Sequence, residues 1–233
     1  MMETQRSKEG YARFDAMASK TFGRILRMLS LDKKKTLDIG CGFGEHLIHF
    51  GPGSIGLTAS DREVDYGQKQ GISIKRGNAE LIDETPVASE SFQAIWANNI
   101  FEHLLSPHSF LIRLREVSDP DTVLILGVPV IPRIASLLKI RKFCGALQSA
   151  HVDFFTRESL KLTVERGGWT IRWARPFLIG NRFIDEYLLG PFMPHLYVVA
   201  TKNVHFKYSE KKINEWKYDS HYDKLIKIVM DQP

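Results

Sequence analysis

The residues with the clearest chemical potential stand in Thr36-Leu37-Asp38-Ile39-Gly40-Cys41-Gly42-Phe43-Gly44-Glu45. An apolar strand carrying an acidic residue runs into alternating glycines, after which His46-Leu47-Ile48 begins a predicted helix. Glycine removes the Cβ atoms that would hold a ligand off the backbone and permits unusual φ/ψ values. At the carboxyl end of a first parallel strand, such a loop is where open α/β sheets bind nucleotides. Glu45 occupies the place of the third glycine in a dinucleotide fingerprint, so the pyrophosphate reading is poorly met. Further along, His103 and His151 are predicted near the carboxyl ends of strands. An imidazole with an ordinary pKa near ~6.5 can take up a proton there at neutral pH. Cys41 sits inside the glycine loop as a small residue that suits its packing, and no nucleophilic role is read from it.

The elements that must position these groups follow from periodicity. Gly10 to Leu31 has apolar residues at helical spacing and reads as a helix packed on the sheet. Strands are expected at Thr36 to Ile39, Ser54 to Ala59, Ile72 to Lys75, Phe92 to Ala97 and Thr122 to Val128. Asp61 to Gln70 reads as a helix closed by Gly71, and Ile100 to Val117 as a helical stretch with Pro107 starting its main segment. Thr156-Arg157-Glu158-Ser159 supplies an N-cap for a helix running to Arg166. Trp169 to Phe177 and Leu196 to Thr201 read as two final strands. Strands alternating with helices at this interval predict βαβ crossovers and a parallel sheet covered on both faces. The long connection from Ile179 to Pro194, rich in Gly, Pro and aromatics, is a candidate pocket wall.

Residues 129–150 stand outside that rhythm as a basic amphipathic helix. They read either as a surface helix packed on the body or as a substrate lid, with a weak membrane-surface contact through 133–143 as a further alternative. The expected organisation is one domain over residues 1–202, followed by a charged and aromatic tail, 203–233, that is partly helical.

Composition narrows the setting. The chain has 233 residues, 43% hydrophobic and 25% charged, as expected of one globular domain with a full core. A net charge of +5 and a pI of about 9.1 would suit an anionic partner, but the excess lies in short clusters such as Lys33-Lys34-Lys35. No nucleic-acid recognition module is present, so a small-molecule substrate is expected and a nucleic-acid partner is not. Two cysteines, Cys41 and Cys144, form neither a disulfide framework nor a metal-ligand cluster, and no metal is expected. The polar start and the lack of a long apolar run point to the cytoplasm.

The Asp-x-Gly-x-Gly-x-Gly order of residues 38–44 resembles motif I of the class I S-adenosylmethionine-dependent methyltransferases, and four more motifs follow in register. Ile55-Gly56-Leu57-Thr58-Ala59-Ser60-Asp61 is similar to the second, Gly77-Asn78-Ala79-Glu80 to the third, and Phe92 to Asn98 with Glu102-His103 to the fourth. His151-Val152-Asp153-Phe154-Phe155-Thr156 is similar to a stretch of small-molecule and sugar methyltransferases. The resemblance implies a Rossmann-like α/β fold: a central, mostly parallel seven-stranded sheet with an antiparallel last strand and helices on both faces. It implies S-adenosylmethionine as cofactor, held by Asp38, Gly40, Cys41, Gly42, Gly44, Thr58, Asp61, Asn78, Ala79, Glu80 and Asn98. Asp38 would organise the loop's N–H groups. Thr58 stands where the family has an acidic ribose ligand, so either Asp61 takes that contact or Thr58 makes a weaker one, and Asp61 reads equally well as a helix N-cap. Asn78 can still accept from the adenine amino group through its amide oxygen. Asn98 would lie where cofactor and acceptor meet, with His103 and His151 as candidate bases. The implied reaction is in-line methyl transfer to a small molecule, a sugar or lipid-linked intermediate. An inactive cofactor-binding scaffold is the alternative, favoured by neutral Thr58 and Asn78.

Overall fold

A computed structural model describes residues 21–132, 151–179 and 181–217. Strands β1 (Thr36–Ile39), β2 (Ile55–Thr58), β3 (Ile74–Arg76), β4 (Ala94–Asn98) and β5 (Val123–Ile131) pair in parallel, and β7 (Trp169–Arg175) and β8 (His195–Lys202) complete the sheet. The order is β3-β2-β1-β4-β5-β8-β7. β8 runs antiparallel to both of its neighbours, as expected of the last strand. An eighth strand of two residues, β6 (Phe155–Thr156), was not anticipated; it pairs with the far end of β5.

Nearly continuous burial along β1, β2, β4 and β5 follows from cover on both faces. On one face Leu37, Ile39, Ile95, Ala97, Leu124 and Leu126 meet Phe110, Leu111, Leu114, Leu160 and Val164. Those partners come from helices α3 (Pro107–Glu116) and α4 (Arg157–Arg166). On the other face Ala94, Trp96, Ile125 and Val199 meet Phe22 and Ile25 of helix α1, described over Thr21–Leu29. The alternation of neighbouring strand residues between the two clusters is the period of two that a pleated strand imposes.

Local signals set the element ends. Helix α2 spans Asp61–Gln70 and closes on left-handed Gly71, as read from the sequence. α4 begins with a capping box in which Thr156 and Ser159 satisfy each other's backbone N–H groups. The helix expected after the glycine loop is only a single 3₁₀ turn, Leu47–His49, because Gly51 must pass within backbone contact of Lys33 and Lys34. Ile100 to Val117 is likewise interrupted: a 3₁₀ turn, Phe101–His103, stands apart from α3, whose N-cap is Ser106. The tail's first part is docked, since Tyr208 donates to the Arg166 carbonyl (2.7 Å) and helix α5 (Glu210–Lys217) brings Trp216 against it (ring centroids 4.9 Å). Residues 1–20, 133–150 with Cys144, and 218–233 lie outside the described residues, and with them the start of the first helix, the lid or membrane-contact segment and the tail's end. Among the described residues no helix is long and apolar enough to cross a membrane.

Candidate functional site

The carboxyl ends of β1, β2 and β3 carry the first group of expected residues. Gly40, Gly42 and Gly44 all have positive φ (70°, 56° and 89°). At Gly42 a Cβ would also stand 3.0 Å from the Glu45 carboxylate, which would have to shift, while the positive φ itself disfavours a side chain. The loop's N–H groups are not organised by Asp38: those of Gly40 and Cys41 donate to the Leu57 carbonyl (2.9 and 3.3 Å), and that of Gly44 to the Cys41 carbonyl (2.9 Å). Asp38 instead lies beneath the loop with Oδ2 buried and without a hydrogen-bond partner. Burial, then the Glu45 carboxylate, pushes its pKa well above the usual carboxylate range. Cys41 is buried against Gly56, and desolvation followed by the charges of Asp38 and Glu63 raises its thiol pKa strongly, so it is inert as a nucleophile. Phe43 ties the loop to α2, edge-on to Tyr66 (5.1 Å) and under Arg62 (5.5 Å).

At the end of β2 the structure supplies a carboxylate that sequence reasoning missed. The Thr58 hydroxyl donates to Glu63 and accepts from the Ser60 N–H (3.1 Å). Glu63 lies in the first turn of α2, five residues past Thr58, and that offset was its only sequence signal. Asp61 is not the helix N-cap that was one reading of it. Its side chain is 70% exposed and pairs with Arg76 (3.1 Å), while Ser60 holds the N-cap position. At the end of β3, Asn78 caps the turn Ala79–Glu84, its Oδ1 accepting from the Glu80 N–H (3.0 Å). Ala79 packs on the core. Glu80 accepts from the Ser106 N–H (2.7 Å), and Asp83 bonds Arg113 of α3 (2.7 Å), so this turn is fastened to α3 at both ends.

The second group lies at the carboxyl ends of β4 and β5. Asn98 pairs across the sheet with Gly127, and Gly127 with Tyr197. A Cβ on Gly127 would run into Asn98 Oδ1 and the Tyr197 ring, so only glycine lets them approach. Asn98 Oδ1 is buried without a hydrogen-bond partner. Next to it Asn99, at φ 54°, donates its N–H to the Gly127 carbonyl (2.8 Å) and meets His195 Nε2 through Oδ1 (2.9 Å). Burial lowers the His195 pKa to about 4, so the ring is neutral at pH 7, and it raises that of Tyr197 to about 12.

His103 and His151 are brought together, with ring centroids 4.9 Å apart. Between them lies Glu102, 1% exposed, with Oε1 at 3.9 Å from each Nε2. Desolvation raises the Glu102 pKa. The N–H groups of Val152 and Asp153 donate to the Glu102 carbonyl (2.9 and 3.0 Å), which straps the later segment onto the earlier one. Ile100, two residues before Glu102, packs against Gly40, so this group adjoins the glycine loop. His195 and Asn99 escaped the sequence reading because their partnership depends on β8 lying beside β5.

The fold and sequence were compared with known proteins. No curated protein matches the chain. A solved chain from the complex of the Haloferax volcanii Trm112 methyltransferase activator with a methyltransferase is similar, with a TM-score of 0.59 and 15% identity over 84% of this chain and 96% of that one. An S-adenosylmethionine-dependent methyltransferase from Thermotoga maritima gives a TM-score of 0.58 and 16% identity over 85% and 96%. A TehB-like one from Corynebacterium glutamicum gives 0.56 and 16% over 85% and 99%. These likenesses concern the fold. The family profile described as a methyltransferase domain matches residues 12–172, well over half of the sequence. The chain belongs to that methyltransferase family.

Proposed function

We propose that the chain methylates a hydroxyl of an amphipathic small molecule, a sugar or lipid-linked intermediate. The observation that carries this reading is a cleft of about 700 Å³ beyond the end of β5. Val130, Ile131, Leu162 and Tyr187 give it apolar walls, and Arg157 and Lys161 face Glu158, Glu165 and Glu186 there, so its polar part carries both signs of charge. Such a lining suits an acceptor with an apolar portion and a hydrogen-bonding, hydroxyl-bearing head.

S-adenosylmethionine supplies a methyl group already activated on a sulfonium. The residues present fit it: the buried Asp38 carboxylate, whose Oδ2 has no hydrogen-bond partner among the described residues, with Glu45 beside it suits an ammonium group, and the bare glycine loop admits close backbone approach. In our reading Asp38, Gly40, Cys41, Gly42 and Gly44 take the amino-acid end. Glu63, positioned by Thr58, takes the ribose hydroxyls in place of Asp61, because a carboxylate accepts two adjacent donors well. Asn78 retains a second lone pair for the adenine amino group, with Ala79 and Glu80 shaping that end. Asn98 orients the reacting groups, and alignment of this kind supplies much of the acceleration. The acceptor's proton leaves at the Glu102–His103–His151 group.

The test is transfer of labelled methyl from S-adenosylmethionine to a panel of sugars, lipid-linked sugars and simple lipids. Incorporation into lipid-linked acceptors, reduced by Leu162→Asp in the apolar wall, is the expected result. Incorporation into none of them by protein that binds S-adenosylhomocysteine overturns the acceptor class.

A further inference from the structure

Glu102 is confined in an unusual way. Neither of its carboxylate oxygens has a hydrogen-bond partner among the described residues, although the side chain is 1% exposed. Buried carboxylates are ordinarily hydrogen-bonded, paired or bound to a metal. Nε2 of His103 and Nε2 of His151 each stand 3.9 Å from Oε1, too far for a hydrogen bond. One donor atom from each of the three residues can be chosen so that all lie within 4.8 Å of one another. Metal–ligand bonds of about 2.0–2.2 Å would draw such atoms together by roughly 1 Å.

The backbone holds this arrangement by itself. The Val152 and Asp153 N–H groups grip the Glu102 carbonyl, and the His103 N–H donates to Ile100 (2.9 Å). The stacked rings of Phe101 and Phe155, 5.2 Å apart, lie beneath. His151 is 8% exposed and His103 37% exposed, so the group is closed on one side and open on the other.

We propose that Glu102, His103 and His151 form a binding site for a divalent first-row transition metal of the zinc type. A coordination position on the His103 side is left for an oxygen of the acceptor. Two imidazoles with one carboxylate suit zinc, iron(II) or cobalt(II) better than magnesium or calcium, which prefer all-oxygen sets. A hydroxyl bound there loses its proton to solvent more readily. Its oxygen lone pair then forms the bond to the methyl carbon as the carbon–sulfur bond breaks, and that electron pair stays on sulfur. This deepens the proposed function and rests on its reading that the acceptor carries a hydroxyl.

Cobalt(II) titration of the untagged full chain, stripped of metal with a chelator, tests the site through the metal's visible absorption. S-adenosylhomocysteine calorimetry on the same samples reports the cofactor site separately. The expected result is one saturating equivalent, with affinity lowered at least about tenfold in both His103→Gln and His151→Gln. His49→Gln should leave the titration unchanged. No saturable cobalt band in protein that still binds S-adenosylhomocysteine overturns the metal site, as does an affinity unaltered in both histidine variants. Failure to bind S-adenosylhomocysteine would count against the cofactor assignment and leave the cobalt result to decide the metal.

Discussion

The two halves of the sheet's carboxyl edge are built by different means. Along β1, β2 and β3 each candidate residue lies within a few positions of its strand end, and the most distant contributor, Glu63, is five residues from Thr58. Along β4, β5 and β8 the contributors are far apart in the chain: Asn99 and His195 are separated by 96 residues and joined only by sheet order. The first half is thus specified by short motifs, and a departure in one motif is compensated locally. In the second half short motifs mark Asn98, His103 and His151, but packing alone brings those segments, and Asn99 with His195, together. A half built locally can be altered by one residue with the fold intact. A half built from pairings across the sheet should transmit damage to stability and activity together.

Gly42→Val is the sharpest way to break the first half. A β-branched side chain at φ 56°, against the Glu45 carboxylate, should cost about 1–3 kcal/mol in backbone strain alone and intrude on the ligand. S-adenosylhomocysteine affinity should fall on the order of a hundredfold by calorimetry, beyond what the strain-induced drop in thermal midpoint explains. Retained affinity would remove the glycine loop from the site.

The corresponding break in the second half is Gly127→Ala. The new methyl group meets Asn98 and Tyr197, and overpacking of this kind costs about 1–3 kcal/mol. Both the thermal midpoint and turnover should drop while S-adenosylhomocysteine affinity is largely kept, which contrasts with Gly42→Val. A loss of turnover with full stability would show that the two halves do not differ in this way.

Glu63→Gln sharpens the claim of local compensation. Removing the charge beside Thr58 should weaken S-adenosylhomocysteine binding roughly tenfold, the scale of a charge-assisted hydrogen bond, whereas Asp61→Ala should leave it nearly unchanged. The reverse ranking would return the ribose contact to Asp61.

The smallest expected effect concerns pH. His46, packed between Phe22 and Trp96, and His195 both have pKa values lowered by burial from 6.5 to about 4. Between those values the unfolded chain binds protons that the folded chain resists. Their contribution is therefore full above pH 6.5 and is lost as pH falls toward 4. Melting curves of His195→Gln should show a shallower decline than the parent over that interval, and His46→Gln the same. Parallel slopes would mean that neither ring is held neutral by the fold.

Much of this molecule was legible in its sequence. Helix α2 with its Gly71 stop, the Thr156 capping box and the first five strands follow from signals within a few residues, because capping, φ restrictions and strand alternation are local physics. The glycine loop was legible for the same reason. What propensity overestimated was the helix after that loop and the continuity of Ile100 to Val117, where close backbone passage and the Ser106 cap intervened. The sequence by itself determined the sheet, the cofactor class and the residues at the ends of β1 to β3. Only the tertiary structure decided that Leu57 rather than Asp38 holds the loop, that Glu63 stands beside Thr58, and that Glu102 gathers His103 and His151. Those outcomes depend on which backbones lie side by side, and strand neighbours are chosen by burial summed over the whole core, which no short window of sequence contains.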